Sequence, residues 1–181
     1  MPLGLVSDIH GNDRALAAVV AEFGRHGVEE VVCLGDAVQG GDEPREVAGD
    51  PRQRRRLSPR GACRLARTAH AATTKRDWTL ARLDERHLDR IRGFPRTLRL
   101  GRLLAFHGSP RSYDDVLLPD STDAAAWRAA GVDILAGGHT HRQWTRILGR
   151  ALYVNPGAVT AQPAEYAVVT GRSVEFLRCA Y

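Results

Sequence analysis

Apolar and polar positions follow two rhythms along this chain. Short runs dense in Val, Leu and Ile predict strands over residues 3–7, 30–34 and 132–136. The run Glu-Val-Val-Cys-Leu at 30–34 leaves no room for a polar face, as in a strand covered on both sides. Between the first two runs, Leu16, Val19, Val20 and Phe23 recur at three- and four-residue spacing. That spacing predicts an amphipathic helix from Asp13 to about His26. Asn12 is placed to cap it and Gly27 to end it. Strand, helix and strand in this order predict a βαβ unit with a parallel pair.

Farther along, Trp78, Leu80, Ala81, Leu83, Leu88 and Ile91 predict one helix running to about Arg92, stopped by Gly93. His87 lies among charges on this helix and is expected as a solvated surface residue. Three strand pairs turn on Gly-Arg dipeptides: Gly101-Arg102, Gly149-Arg150 and Gly171-Arg172. They join 97–100 to 102–106, 143–148 to 151–154, and 165–170 to 173–178. Ser112 to Asp120 reads as a loop, and Ser121 or Thr122 as the cap of a helix through Ala130. A single domain over 1–181 is expected. From about Glu43 to Arg76 neither rhythm persists, and so long a patternless stretch is unusual inside a compact domain.

The polar residues that follow the strands carry the candidate chemistry. Asp8 and His10 follow the first, Asp36 the second, His107 the strand at 102–106, and His139 and His141 the strand at 132–136. In each pair at i and i+2, side chains on extended backbone point the same way. His139 and His141 can thus converge on one point. Ligands of open α/β sheets gather at the carboxyl ends of strands. Acids and imidazoles brought there from four segments predict a shared metal site, and mixed Asp/His donors suit Mn, Fe, Zn or Ni.

Composition narrows the partners. The content is 43% hydrophobic and 26% charged, both globular values. The net charge of +5 suggests nucleic acid until it is located. Nine basic residues and one acidic lie between Asp50 and Arg76, leaving 17 basic and 20 acidic elsewhere. No aromatic residue lies between Gly41 and Asp77 to stack on a base. A nucleic-acid module built on Arg52 to Arg67 is therefore not the expectation. Cys33, Cys63 and Cys179 are odd in number and lack CxxC spacing, which favours a reducing, cytoplasmic setting. No leader segment and no apolar run approaching ~18 residues is visible, so no membrane association is expected.

In their order and context, Asp8-x-His10, Gly35-Asp36, His107-Gly108 and Gly138-His139-x-His141 resemble the calcineurin-like metallophosphoesterase superfamily. The compact chain and the Asn155-Pro156-Gly157 turn look most like its small bacterial and archaeal phosphodiesterase branch. The resemblance covers residues 1–42 and about 77–181. It implies an α/β (α+β) fold: a β-sandwich of two mixed sheets flanked by helices. It implies two divalent ions, Mn foremost, with Fe, Zn and Ni as alternatives. Asp8, His10 and His141 would hold one, His107 and His139 the other, and Asp36 would bridge. The activity implied is hydrolysis of a phosphodiester or phosphomonoester by a hydroxide bridging the two metals, with no serine or cysteine nucleophile. Asn12 could also contact the phosphate.

One part of the family pattern is missing. The family places a Gly-Asn motif between Asp36 and the helix at 77, its asparagine binding the second metal. Here the only asparagines are Asn12 and Asn155, and His70 is the one histidine in the gap. The gap coincides with the patternless basic stretch. A true insert, divergence and a reading-frame slip each account for it. The genetic code permits Arg52-Gln53-Arg54-Arg55-Arg56-Leu57 to read Gly-Asn-Ala-Asp-Ala-Phe one nucleotide later. Sequencing the coding DNA separates these origins, since shifted frames without a Gly-Asn motif remove the slip. A different function class also follows from the gap: a diverged, non-catalytic metal-binding protein of the same fold with a weakened second metal.

Overall fold

The computed structural model describes residues 1–49, 73–122 and 131–181, with the backbone alone for 73–76. Most of the basic stretch, with His70 and Cys63, and most of the helix expected to reach Ala130 lie outside the described residues. Thirteen elements are described: β1 Leu3–Val6, α1 Asp13–Arg25, β2 Glu30–Cys33, α2 Pro44–Ala48, α3 Thr73–Leu80, α4 Glu85–Arg92, β3 Leu98–Leu100, β4 Leu103–Ala105, β5 Ile134–Ala136, β6 Gln143–Leu148, β7 Ala151–Pro156, β8 Ala164–Thr170 and β9 Ser173–Cys179.

The strands form two sheets, ordered β2-β1-β8-β9 and β3-β4-β5-β7-β6. Both are mixed. β1 pairs parallel with β2 and antiparallel with β8, while β4, β5 and β7 run parallel between antiparallel neighbours β3 and β6. The expected βαβ unit and all three Gly-Arg hairpins are present.

The period of two explains the layering. Leu5, Val32, Leu34, Ala167 and Val169 of the first sheet pack on Leu103, Ala105, Ile134, Ala136 and Val154 of the second. Their neighbours in sequence, Val6, Val31, Tyr166 and Val168, face the other way onto α1, with Leu16, Val19 and Phe23. Each Val, Leu, Ile or Phe side chain so removed from water contributes about 1.5–3 kcal/mol. Gly4 seats α1 closely: a Cβ there would lie 2.8 Å from the Phe23 ring. On the outer face of the second sheet, Phe106, Leu135, Trp144 and Tyr153 form a third cluster.

Two expectations are corrected. The region after Glu43 is not patternless throughout, because Pro44 at the first turn opens the short helix α2. The helix expected over 77–92 is two helices, α3 and α4. Asp84 interrupts it: its carboxylate accepts the His87 backbone N–H at 3.1 Å. His87 completes a capping box with Asp84 and sits half-buried, Nδ1 2.7 Å from the carboxylate, instead of being simply solvated. Asp84→Ala is expected to lower stability by removing this cap, read from denaturant midpoints. Among the described residues no helix is long and apolar enough to cross a membrane.

Candidate metal centre

The parallel strands β1, β2, β4 and β5 deliver their carboxyl ends to one edge of the sandwich. Short backbone bonds tie the segments beyond them together. Asp8 N–H donates to Gly35 O at 3.1 Å, His10 N–H to Asp36 O at 2.8 Å, and Gly138 N–H to His107 O at 2.8 Å. The chain must turn sharply as it leaves each strand. Among the described residues, five non-glycine residues have positive φ: Asp8 (53°), His10 (49°), Asp36 (46°), His139 (71°) and His141 (54°). All five were singled out above for their chemistry. Left-handed backbone at such residues costs of order 1–3 kcal/mol each, and it persists where surrounding structure over-determines it.

Glycines supply the room. A Cβ on Gly35 would lie 2.6 Å from His107 Nδ1, and one on Gly138 would lie 1.9 Å from Ser7 Oγ and 2.9 Å from Asp8 Oδ2. These glycines are therefore fixed by close approach, not only by turning.

The side chains gather into two groups, Asp8 with His10 and His141, and Asp36 with His107 and His139. The first expectation, that His139 and His141 share one point, is thereby corrected. With His139 and His141 both left-handed, this stretch is not extended and does not alternate as a strand does, so the two rings part to different groups. In the first group, His10 Nε2 lies 3.2 Å from His141 Nε2 and 3.8 Å from Asp8 Oδ1, and His141 Nε2 lies 3.1 Å from that same oxygen. In the second, His139 Nδ1 lies 3.2 Å from His107 Nε2, which is 3.5 Å from Asp36 Oδ2. Asp36 Oδ2 is also 3.9 Å from His10 Nε2, so this carboxylate stands between the groups.

Several features fit these residues to divalent cations. Asp8 Oδ1 and Asp36 Oδ1 are buried without a hydrogen-bond partner among the described residues. His141 approaches Asp8 Oδ1 closely but without hydrogen-bond alignment. Imidazole nitrogens face one another within each group, where at most one proton could be shared. Each group offers one carboxylate and two imidazoles, a set suited to borderline transition ions. His10 Nδ1 donates to Gln39 O at 2.7 Å, which fixes the tautomer and leaves Nε2 free to coordinate.

Electrostatics follow the same arrangement. Burial pushes the Asp8 carboxyl up, but neighbouring His141, His107 and Ser7 outweigh it and hold it below the usual range. Asp36 is likewise held down by His107 against its burial. Burial lowers His107, and the Asp36 carboxylate more than reverses this. His141 is raised by the Asp8 carboxylate, while His139 is lowered by burial and by His107. Both carboxylates are thus kept ionised, as cation ligands must be. Exposure grades across the site, from Asp8 (0%) and His107 (3%) at the floor to His141 (44%) at the mouth.

Asn12 caps α1, its Oδ1 accepting from Ala15 N–H at 3.0 Å, and its Nδ2 donates to Tyr181 Oη at 3.1 Å. Both ends of the amide are engaged within the fold. Sequence reasoning missed Gln39, which contributes through its backbone and leaves no side-chain signal. It also read Asn155 only as part of a turn, although Asn-Pro-Gly directly after a buried strand was visible.

The chain belongs to the calcineurin-like phosphoesterase superfamily, whose domain model matches residues 1–173. Solved structures share the fold. A metallophosphoesterase from Sphaerobacter thermophilus is 26% identical with a TM-score of 0.79, covering 100% of this chain and 89% of that one. A hypothetical protein from Pyrococcus horikoshii OT3 is 18% identical with a TM-score of 0.78, covering 99% and 88%. A structure described as a novel archaeal phosphodiesterase is 15% identical with a TM-score of 0.61, covering 99% and 100%. No curated protein sequence matches the chain significantly.

Proposed function

We propose that this chain is a metal-dependent phosphoesterase that hydrolyses a phosphodiester or phosphomonoester. The observation that carries the reading is the pair of Asp/His groups facing each other across Asp36. Asp8, His10 and His141 would hold one divalent ion, His107 and His139 a second, and Asp36 would serve both. When bound, such ions polarise phosphoryl oxygens and lower the pKa of coordinated water. The residues themselves hold, orient and shield. The buried floor of Asp8 and His107 fixes the donors, while half-exposed His141 leaves one side open to an ester from solvent. Ser7 is buried behind Gly138, and Ser109 Oγ donates to Asp115 Oδ2 at 2.5 Å, so neither stands ready as a nucleophile.

The family and the Sphaerobacter relative support hydrolase chemistry. Manganese is the proposed ion, and the cysteine usage supports a cytoplasmic setting. Purified chain with Mn²⁺ is expected to hydrolyse an aryl phosphodiester or monoester, with the rate abolished by chelator and restored by added metal. No hydrolysis with any divalent ion across both substrate classes would overturn the reading.

A second reading is a non-catalytic metal-binding protein of the same fold. It is favoured by one observation: the second group has three donors, and no asparagine lies between Asp36 and Trp78 to add a fourth. It requires one tightly held ion per chain and no turnover.

A further inference from the structure

We propose that Asn155 is a positioning residue: its side chain holds the loop of His139 and His141 in the conformation that receives metal. The proposal rests on the metal-centre reading above.

Asn155 lies in β7 and is fully buried. A buried amide is costly unless satisfied, and both ends of this one have partners. Its Nδ2 donates to Gly138 O at 2.7 Å and to Thr140 Oγ1 at 3.0 Å. The two acceptors flank His139. One amide group therefore grips the loop on both sides of a residue held at φ 71°, with His141 at φ 54° just beyond. Such backbone does not hold itself, so it needs a clamp from behind.

The segment that follows Asn155 grips the other ligand loop. Val159 N–H donates to Ser7 O at 3.0 Å and Thr160 N–H to Asp8 O at 3.2 Å. His139 N–H donates to Asp8 Oδ2 at 3.0 Å and closes the triangle. Residues 155–160 thus touch both the loop bearing Asp8 and the loop bearing His139 and His141. The 3.1 Å approach of His141 to Asp8 is set from behind by this bracket.

The bland role for Asn155 is turn formation, its Oδ1 accepting from Gly157 N–H at 3.0 Å. An aspartate would serve that turn equally. As a carboxylate it could not donate to Gly138 O. Asn155→Asp therefore separates the two roles.

The test is Mn²⁺ affinity by titration on the full chain, with a thermal melt to establish folding. Asn155→Asp is expected to stay folded and to lose roughly 10–100-fold in affinity, the range typical for partners that orient ligands. A folded Asn155→Asp with unchanged affinity overturns the proposal. If that variant does not fold, the half-buried Thr140 decides. Thr140→Val removes the acceptor and is expected to lose about tenfold, while Thr140→Ser keeps it and rescues. Equal affinities for the two overturn the clamp. If the wild-type chain binds no divalent ion, the metal-centre reading fails separately. The clamp is then read from amide hydrogen exchange at 138–141. Exchange is expected to quicken by about tenfold in Asn155→Asp or Thr140→Val, because local opening costs less without the bonds. Unchanged exchange overturns it.

Discussion

Asp36→Ala is expected to lower metal-stimulated ester hydrolysis by at least about 10³-fold while leaving a folded chain. The carboxylate faces both Asp/His sets, 3.9 Å from His10 Nε2 and 3.5 Å from His107 Nε2. Its loss removes a donor to both sites and the element that holds them together. Metal assistance supplies several kcal/mol of transition-state stabilisation, and each ~1.4 kcal/mol is a factor of ten in rate. Steady-state rates with saturating Mn²⁺ check this. Activity within tenfold of wild type would remove the dinuclear assignment. Asp36 is a partly buried carboxylate whose Oδ1 is buried without a hydrogen-bond partner among the described residues, so its removal relieves a desolvation cost. The melting temperature of the metal-free protein is therefore not expected to fall in proportion to activity.

The second large effect is expected at a glycine. Gly138→Ala would put a methyl 1.9 Å from Ser7 Oγ and 2.9 Å from Asp8 Oδ2. Ser7 and Asp8 are fully buried and have nowhere to retreat. Overpacking of this kind costs about 1–3 kcal/mol. The strain falls on the carboxylate that accepts His139 N–H, so metal affinity is expected to drop by about 10–100-fold as well. Gly101→Ala is the matched control. Gly101 has φ 55° in the β3–β4 turn with no atom within 4 Å of its would-be Cβ. That change costs backbone strain of about 1 kcal/mol and is expected to leave metal uptake intact. Equal metal affinity in the two variants would show that the Gly138 approach does not govern the site.

The sandwich was readable because its strands are short, apolar and punctuated by Gly-Arg turns. The six acids and imidazoles were readable because each follows such a strand. Their division between two groups was not readable from spacing. The i, i+2 rule assumes extended backbone, and His139 and His141 are left-handed. Only the ordered resemblance separated them. The break between α3 and α4 was hidden because Asp84 and His87 look like ordinary charged helix residues until the chain shows them capping. The helix α2 was hidden by its five-residue length, too short for a period to register. Asn155 gave a turn signal that was true but partial, since a sequence shows which groups an amide carries and not which atoms meet them.

The claim that everything else depends on is that this one chain holds two ions, one at each Asp/His group. Crystals equilibrated with Mn²⁺ and measured for anomalous scattering test it most directly. Two peaks per chain are expected, one among Asp8, His10 and His141 and one among Asp36, His107 and His139. A single peak at the first group, with none at the second under saturating metal, would contradict it.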